Sequence, residues 1–238
     1  MFKLNFYNNS LFFFKSFFYI FFYKAFNFVA PQEGENIILE RIFGKQKKGF
    51  YVDVGAHHPI RFSNTLNLYQ RGWLGINIEP NHKVINSFKK MRARDINLNI
   101  AISTKKNSCN YYKFEDPALN TTDIQICKMR EKQGYKCIEK KIIQTQTLNQ
   151  IFLEHCKNKS IDLLKIDVEG KELDVLQSNN WNKFIPKVII CELINVDFEK
   201  LFKNKVYKFL KSHNYLMYCK LLQNSIFFHK SFSIKLFK

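Results

Sequence analysis

Apolar residues in this chain come in short bursts that alternate with stretches of helical spacing, beginning after Pro31. GENIILERIFG places Ile37, Ile38, Arg41 and Ile42 at helical intervals and ends on Gly44, so a helix is expected there. GFYVDVG, 49–55, is apolar, β-branched and aromatic between two glycines, which predicts a strand buried on both faces. A helix is expected over 63–70, with Ser63 as its N-cap and RGW at 71–73 as its end. LGINIEP, 74–80, predicts a second strand whose last residue before the proline is Glu79. NHKVINSFKKMRAR then predicts a helix, and INLNIAIS, 96–103, a third strand.

Between Thr104 and Ile142 the periodicity is lost and the chain turns polar around DPALNTTD. Excursions of this length in compact domains are usually functional or mobile. The alternation resumes with a helix in QTQTLNQIFLEHC, a fourth strand in IDLLKIDVEG that ends in a carboxylate-bearing turn, and a helix in KELDVLQSNNW. KVIICEL, 187–193, predicts a fifth strand. VDFEKLFKNKVYKFLKSHN predicts one long helix with an apolar stripe of Phe198, Leu201, Phe202, Val206, Phe209 and Leu210. YLMYCK and SIFFHK, separated by LLQN, predict a closing hairpin.

Strands alternating with helices, then a hairpin, imply an α/β fold: a mostly parallel sheet, helices on both faces, and an antiparallel C-terminal pair. Right-handed crossovers put the ligand crevice at the carboxyl ends of the parallel strands. Asp53 to Gly55, Glu79 and Asp167 to Gly170 should therefore meet at one edge.

Length adds that 238 residues can form one such domain, expected over 31–238. The net charge of +18 invites a nucleic-acid reading, but the lysines are scattered and no reader motif accompanies them. Specific nucleic-acid binding is not expected. Six cysteines lie far apart with no C-x-x-C pair, so reduced thiols in a cytosolic protein are expected rather than a zinc site or a disulfide framework. LFFFKSFFYIFFYKAFNFVA, 11–30, has the length of a membrane span, but Lys15 and Lys24 interrupt it on nearly opposite sides of a helix. Residues 1–30 are therefore expected to form either an interfacial helix at the inner face of a membrane or a helix packed on the domain or a partner. A cleaved signal peptide does not fit their charges.

FYVDVGAHHPIRFSNT, 50–65, carries the candidate chemistry. A dinucleotide loop needs glycines where backbone approaches the pyrophosphate, and here His57, His58 and Pro59 stand in their place. Pro59 also lacks an N–H to offer a phosphate. Glu79, about 26 residues past Asp53, nevertheless sits near the offset of about 20 residues typical of a ribose-binding carboxylate. S-adenosylmethionine fits a ligand that has a ribose and makes no demand for pyrophosphate.

The sequence resembles the FkbM-type S-adenosylmethionine-dependent methyltransferases. The resemblance rests on VDVGAHHP, GWLGINIEPN, NIAIS, and LLKIDVEGKELDVL followed by PKVIICE, and runs from about Gln32 to His229. It departs from the commoner family motif at His57 and Pro59, where Asn and Gly are usual. It implies a Rossmann-like methyltransferase fold and methylation of hydroxyls on sugars or natural-product scaffolds. For the cofactor it points to Asp53, Gly55, Ala56, Glu79, Asn99 and Asp167.

For the reaction itself, Asp167 is expected as general base or as ligand to a divalent cation, and Glu169 to orient the acceptor or the methionine amine. His57 and His58 titrate near neutrality and could take a proton, with His58 the preferred wall of the acceptor pocket. Zinc is not expected there, because neighbouring residues of a strand point apart. Asn120 and Thr121 in the excursion, and Glu192 at the end of the fifth strand, are the candidates for acceptor recognition. The expected acceptor is a sugar hydroxyl of a surface glycan, glycolipid or related small molecule. Two other readings stay open: a nucleic-acid methyltransferase, and a non-catalytic membrane-surface protein that has kept the fold.

Overall fold

The structure is a computed structural model that describes residues 33–194 and 196–232. The helix expected in residues 1–30 lies outside the described residues. Helix α1 (Glu35–Phe43) precedes strand β1 (Phe50–Val54), then α2 (Leu66–Gln70), β2 (Leu74–Ile78), α3 (His82–Met91) and β3 (Ile96–Leu98). A second region holds β4 (Ala101–Ile102), β5 (Asn107–Phe114), α4 (Ile124–Lys132) and β6 (Cys137–Gln146). The chain continues with α5 (Leu148–His155), β7 (Leu163–Ile166), α6 (Glu172–Gln177), β8 (Val188–Glu192), α7 (Phe198–Leu201) and α8 (Lys205–Ser212). It closes with the hairpin β9 (Tyr215–Lys220) and β10 (Asn224–His229).

Seven strands form one sheet in the order β3-β2-β1-β7-β8-β10-β9. β3, β2, β1, β7 and β8 run parallel, and β10 pairs antiparallel with both β8 and β9. This is the Rossmann-like arrangement with an antiparallel final pair that the sequence predicts. Successive residues of the central strands serve opposite faces, as the period of two requires. Val52, Leu164 and Ile189 join Phe152, Val175 and Leu210 in one core. Tyr51, Leu163 and Val188 join Leu39, Phe43 and Trp73 in the other.

Several local expectations change. In α1 the buried positions are Glu35, Leu39 and Phe43, while Ile37 is 61% exposed. The second helix is capped at Thr65, and Ser63 instead accepts a hydrogen bond from the Arg92 guanidinium. The third strand divides at Asn99: after the last ladder bond from Glu79 N–H to the Leu98 carbonyl, the Asn99 side chain donates to the Glu79 carbonyl and β4 pairs with β6 instead. The polar excursion holds regular structure, because β5 and β6 form a long antiparallel pair. Much of β6 is exposed, so no buried face imposed an alternation that could be read. The single helix expected over 196–214 is two, since the Asn204 side chain accepts from the N–H groups of Val206 and Tyr207 and starts α8 afresh. Phe198 and Phe202 then fall outside the core, at 69% and 65% exposed.

Candidate functional site

The carboxyl ends of β1, β2, β7 and β8 open onto a cavity of about 250 Å³. Gly55, Glu79, Asp167 and Glu169 all line it, so the three polar strand ends do meet at one edge. Gly55 holds two of them together. Its φ is +75°, and a side chain there would bring a Cβ within 1.7 Å of the Asp167 carbonyl oxygen. Only glycine combines that backbone conformation with that closeness.

Glu79 is 6% exposed and sits at the cavity end of β2. Its Oε1 accepts from the Asn81 N–H at 2.7 Å and its Oε2 from the His57 N–H at 3.1 Å. A carboxylate has about four lone-pair positions, so about two remain for a vicinal diol. Burial pushes the Glu79 carboxyl up to about 7, despite the two N–H groups that favour its ionised form. Pro80, Val84, Ile100, Ala101 and Ile102 line the wall beside it. An apolar slot next to a diol acceptor suits a nucleoside, with its base against the aliphatic side chains and its ribose on the carboxylate. The carboxylate offers acceptor positions to ribose hydroxyls without a phosphate cradle.

The loop after β1 is fixed from beneath. Arg92, fully buried at the end of α3, donates to the Pro59 carbonyl at 2.7 Å and to the hydroxyls of Ser63 and Thr65 at 2.5 and 2.7 Å. His58 turns inward on the loop, its Nδ1 accepting from the N–H groups of Ile60 and Arg61 at 3.0 and 2.9 Å. His57, at φ +53°, presents its ring to the cavity, stacked on Phe62. Its Nε2 is buried without a hydrogen-bond partner among the described residues. Burial, reinforced by the Lys165 charge, lowers its pKa, which keeps the ring neutral and able to accept a proton.

Opposite Glu79 lies a carboxylate-rich wall. Asp167 Oδ2 stands 3.3 Å from Lys165 Nζ, and Glu169 is paired with Arg130 from α4. Burial, with Asp167 nearby, pushes the Glu169 carboxyl up to about 7. Glu192 is pushed up to about 11 by burial and by Asp167 and Glu169. Lys165 is almost wholly buried, yet Asp167 and Asp53 more than offset its desolvation and raise its pKa, so it stays charged. The excursion closes over this wall: Thr121 Oγ1 donates to the Glu169 carbonyl at 2.7 Å, and Asn120 lines the cavity while its Oδ1 accepts from the Phe114 N–H. Tyr111 from β5 also reaches the cavity beside Glu79, and burial and that carboxylate raise its hydroxyl pKa.

Of the expected site residues, Gly55, Glu79, Asp167, Glu169, Asn120, Thr121 and Glu192 line the cavity. Four do not. Asp53 is 1% exposed and turns into the sheet, its Oδ2 accepting from the Thr65 hydroxyl and its Oδ1 facing Lys165. Ala56 packs against Ile85 and Phe88. The Asn99 amide is used on the Glu79 carbonyl, which makes it a positioning residue. His58 is occupied by its own loop, so the cavity-facing histidine is His57. Sequence reasoning missed Lys165, Arg130, Tyr111 and Arg92. Lys165 left a signal, a lysine inside the apolar run LLKI with Asp167 two residues on, on the same face. The other three left none. The fold also gathers Cys127, Glu131 and Cys137, which their spacing did not suggest, and all six cysteines are free.

A family model described as the methyltransferase FkbM domain matches residues 53–217. Searches of curated proteins and of solved structures return no match.

Proposed function

The chain belongs to the FkbM methyltransferase family, and from that premise we propose that it transfers the methyl group of S-adenosylmethionine to a hydroxyl of a sugar in a glycan, glycolipid or related small molecule. The observation that carries this reading is Glu79, a buried carboxylate with open acceptor positions beside an aliphatic slot, facing a polar wall across one cavity. When bound, the cofactor would supply an electrophilic methyl group that passes to an oxygen nucleophile as its carbon–sulfur bond breaks and S-adenosylhomocysteine leaves.

The chain's contribution is then positioning and proton acceptance. Glu79 accepts from the ribose hydroxyls, and the tight Gly55 turn lines the cavity beneath the methionine part. Asp167 lies at the opposite wall, where Lys165 fixes its carboxylate for an incoming hydroxyl. His57 is the second group suited to take the proton, because its neutral ring has an unpartnered nitrogen in the cavity. Asn120, Thr121 and Glu192 are proposed to recognise the acceptor from the excursion and β8. A polyhydroxylated acceptor suits this wall, which offers carboxyl groups and the Asn120 amide.

Among the described residues no helix is long and apolar enough to cross a membrane. Contact of residues 1–30 with the inner face of a membrane belongs to the same proposal, as it would bring the site to glycolipid acceptors. The test is mass spectrometry of glycans and glycolipids from cells with and without the gene, followed by transfer in vitro from labelled S-adenosylmethionine. A lost O-methyl group that purified protein restores is the expected result. Label entering RNA or DNA instead, or no labelled product at all, would overturn the assignment.

A further inference from the structure

Asp167, Glu169 and Glu192 each offer a carboxylate oxygen to one point of the cavity, and these oxygens all lie within 4.8 Å of one another. Around them carboxyl groups outnumber cations. Lys165 is shared between Asp53 and Asp167, and Arg130 serves Glu169, so four carboxylates with Glu192 face two cations. Glu172 is separately satisfied, its Oε1 accepting from the N–H groups of Val168 and Gly170. Lys171 is engaged with Asp123 and Asp174.

Glu192 supplies an independent observation. It is 6% exposed, lines the cavity, and its Oε2 is buried with no hydrogen-bond partner among the described residues. A buried carboxylate oxygen without a donor is costly unless a ligand completes it. Backbone geometry holds it in place, because Glu192 ends β8 in register with Asn224 of β10.

We propose that Asp167, Glu169 and Glu192 bind a divalent, oxygen-preferring cation in the wall of this cavity. Three carboxylates with no nitrogen or sulfur donor select a hard ion. Their oxygens lie close enough together for one ion to bridge all three. Three side chains leave coordination positions open towards the cavity, and two adjacent hydroxyls of a sugar can fill them. That last consequence rests on the methyl-transfer reading; the binding of the ion does not.

The experiment is a titration of Mn²⁺ into the chelator-treated full chain, followed by loss of the free-ion electron paramagnetic resonance signal. One bound Mn²⁺ per chain, displaced by Ca²⁺, is expected, with affinity at least about tenfold weaker in Glu192→Gln and in Asp167→Asn. No binding to the wild type, or equal binding in both variants, would overturn the site; the latter would move the ion to Cys127, Glu131 and Cys137 or to the surface. Binding of S-adenosylhomocysteine to the same wild-type sample separates the two readings. Ion binding without nucleoside binding rejects the proposed function alone, and the reverse rejects the cation site alone.

Discussion

Lys165 stands directly across the β1–β7 ladder from Asp53, and its Nζ lies 3.4 Å from the Asp53 Oδ1 where neither side chain reaches solvent. The same ammonium group donates to the Gly55 carbonyl at 2.8 Å and faces Asp167. One buried cation therefore ties the sheet interior to the turn and to the cavity wall. Removing one partner of such a pair strands a buried charge. Lys165→Met is expected to lower stability by about 3–5 kcal/mol, and Asp53→Asn combined with Lys165→Met to recover much of it. Urea unfolding of the three proteins measures both, and an unchanged midpoint in Lys165→Met would reject the coupling.

Gly55→Ala places a Cβ against the Asp167 carbonyl and demands a positive φ from alanine. The clash is with backbone, which cannot swing aside as a side-chain tip would. A loss of at least about 2–4 kcal/mol is expected, read as a fall in melting temperature. A variant as stable as the wild type would show that β1 and β7 can separate freely at this turn.

Asp167→Asn keeps the shape of the wall and removes its central charge. Methyl transfer is expected to fall about 10²-fold or more, with affinity for S-adenosylhomocysteine changed by less than about threefold. Single-turnover transfer and calorimetry give the two numbers. Full turnover in this variant would move the proton-accepting role to His57, which His57→Gln then tests.

Cofactor affinity should depend on pH through Glu79. Burial pushes its carboxyl up to about 7, and the ionised form is the one that can accept from both ribose hydroxyls. Below that pH the group must lose a proton before it binds, so affinity is expected to drop by up to about tenfold per unit, and to level off above it. Calorimetric titrations between pH 5.5 and 8.5 check the slope, which should vanish in Glu79→Gln.

Much of this was legible from the chain because central parallel strands are buried on both faces. FYVDV, LGINI and VIICE each stand out as compact apolar runs, and Glu79 and Asp167 mark where two of the strands meet the crevice. The loop FYVDVGAHHPIRFSNT was harder. Its missing glycines argue against a phosphate cradle, but which histidine faces the cavity depends on Arg92, a residue of a later helix that grips the loop through Pro59, Ser63 and Thr65. Asp53 shares the sheet face of Lys165 and Asp167 but lies within β1, where Thr65 and Lys165 occupy its carboxylate short of the cavity. The Arg130–Glu169 pair could not be read at all, since it joins residues 39 positions apart through a half-exposed hairpin whose pattern has no period.

Binding of S-adenosylmethionine in this cavity through Glu79 is measured by calorimetric titration of S-adenosylhomocysteine into wild type and Glu79→Ala. The account predicts one site per chain in the wild type and affinity at least about tenfold weaker in the variant, from loss of charge-assisted hydrogen bonds to the ribose. No binding to the wild type, or the same affinity in both proteins, would contradict it.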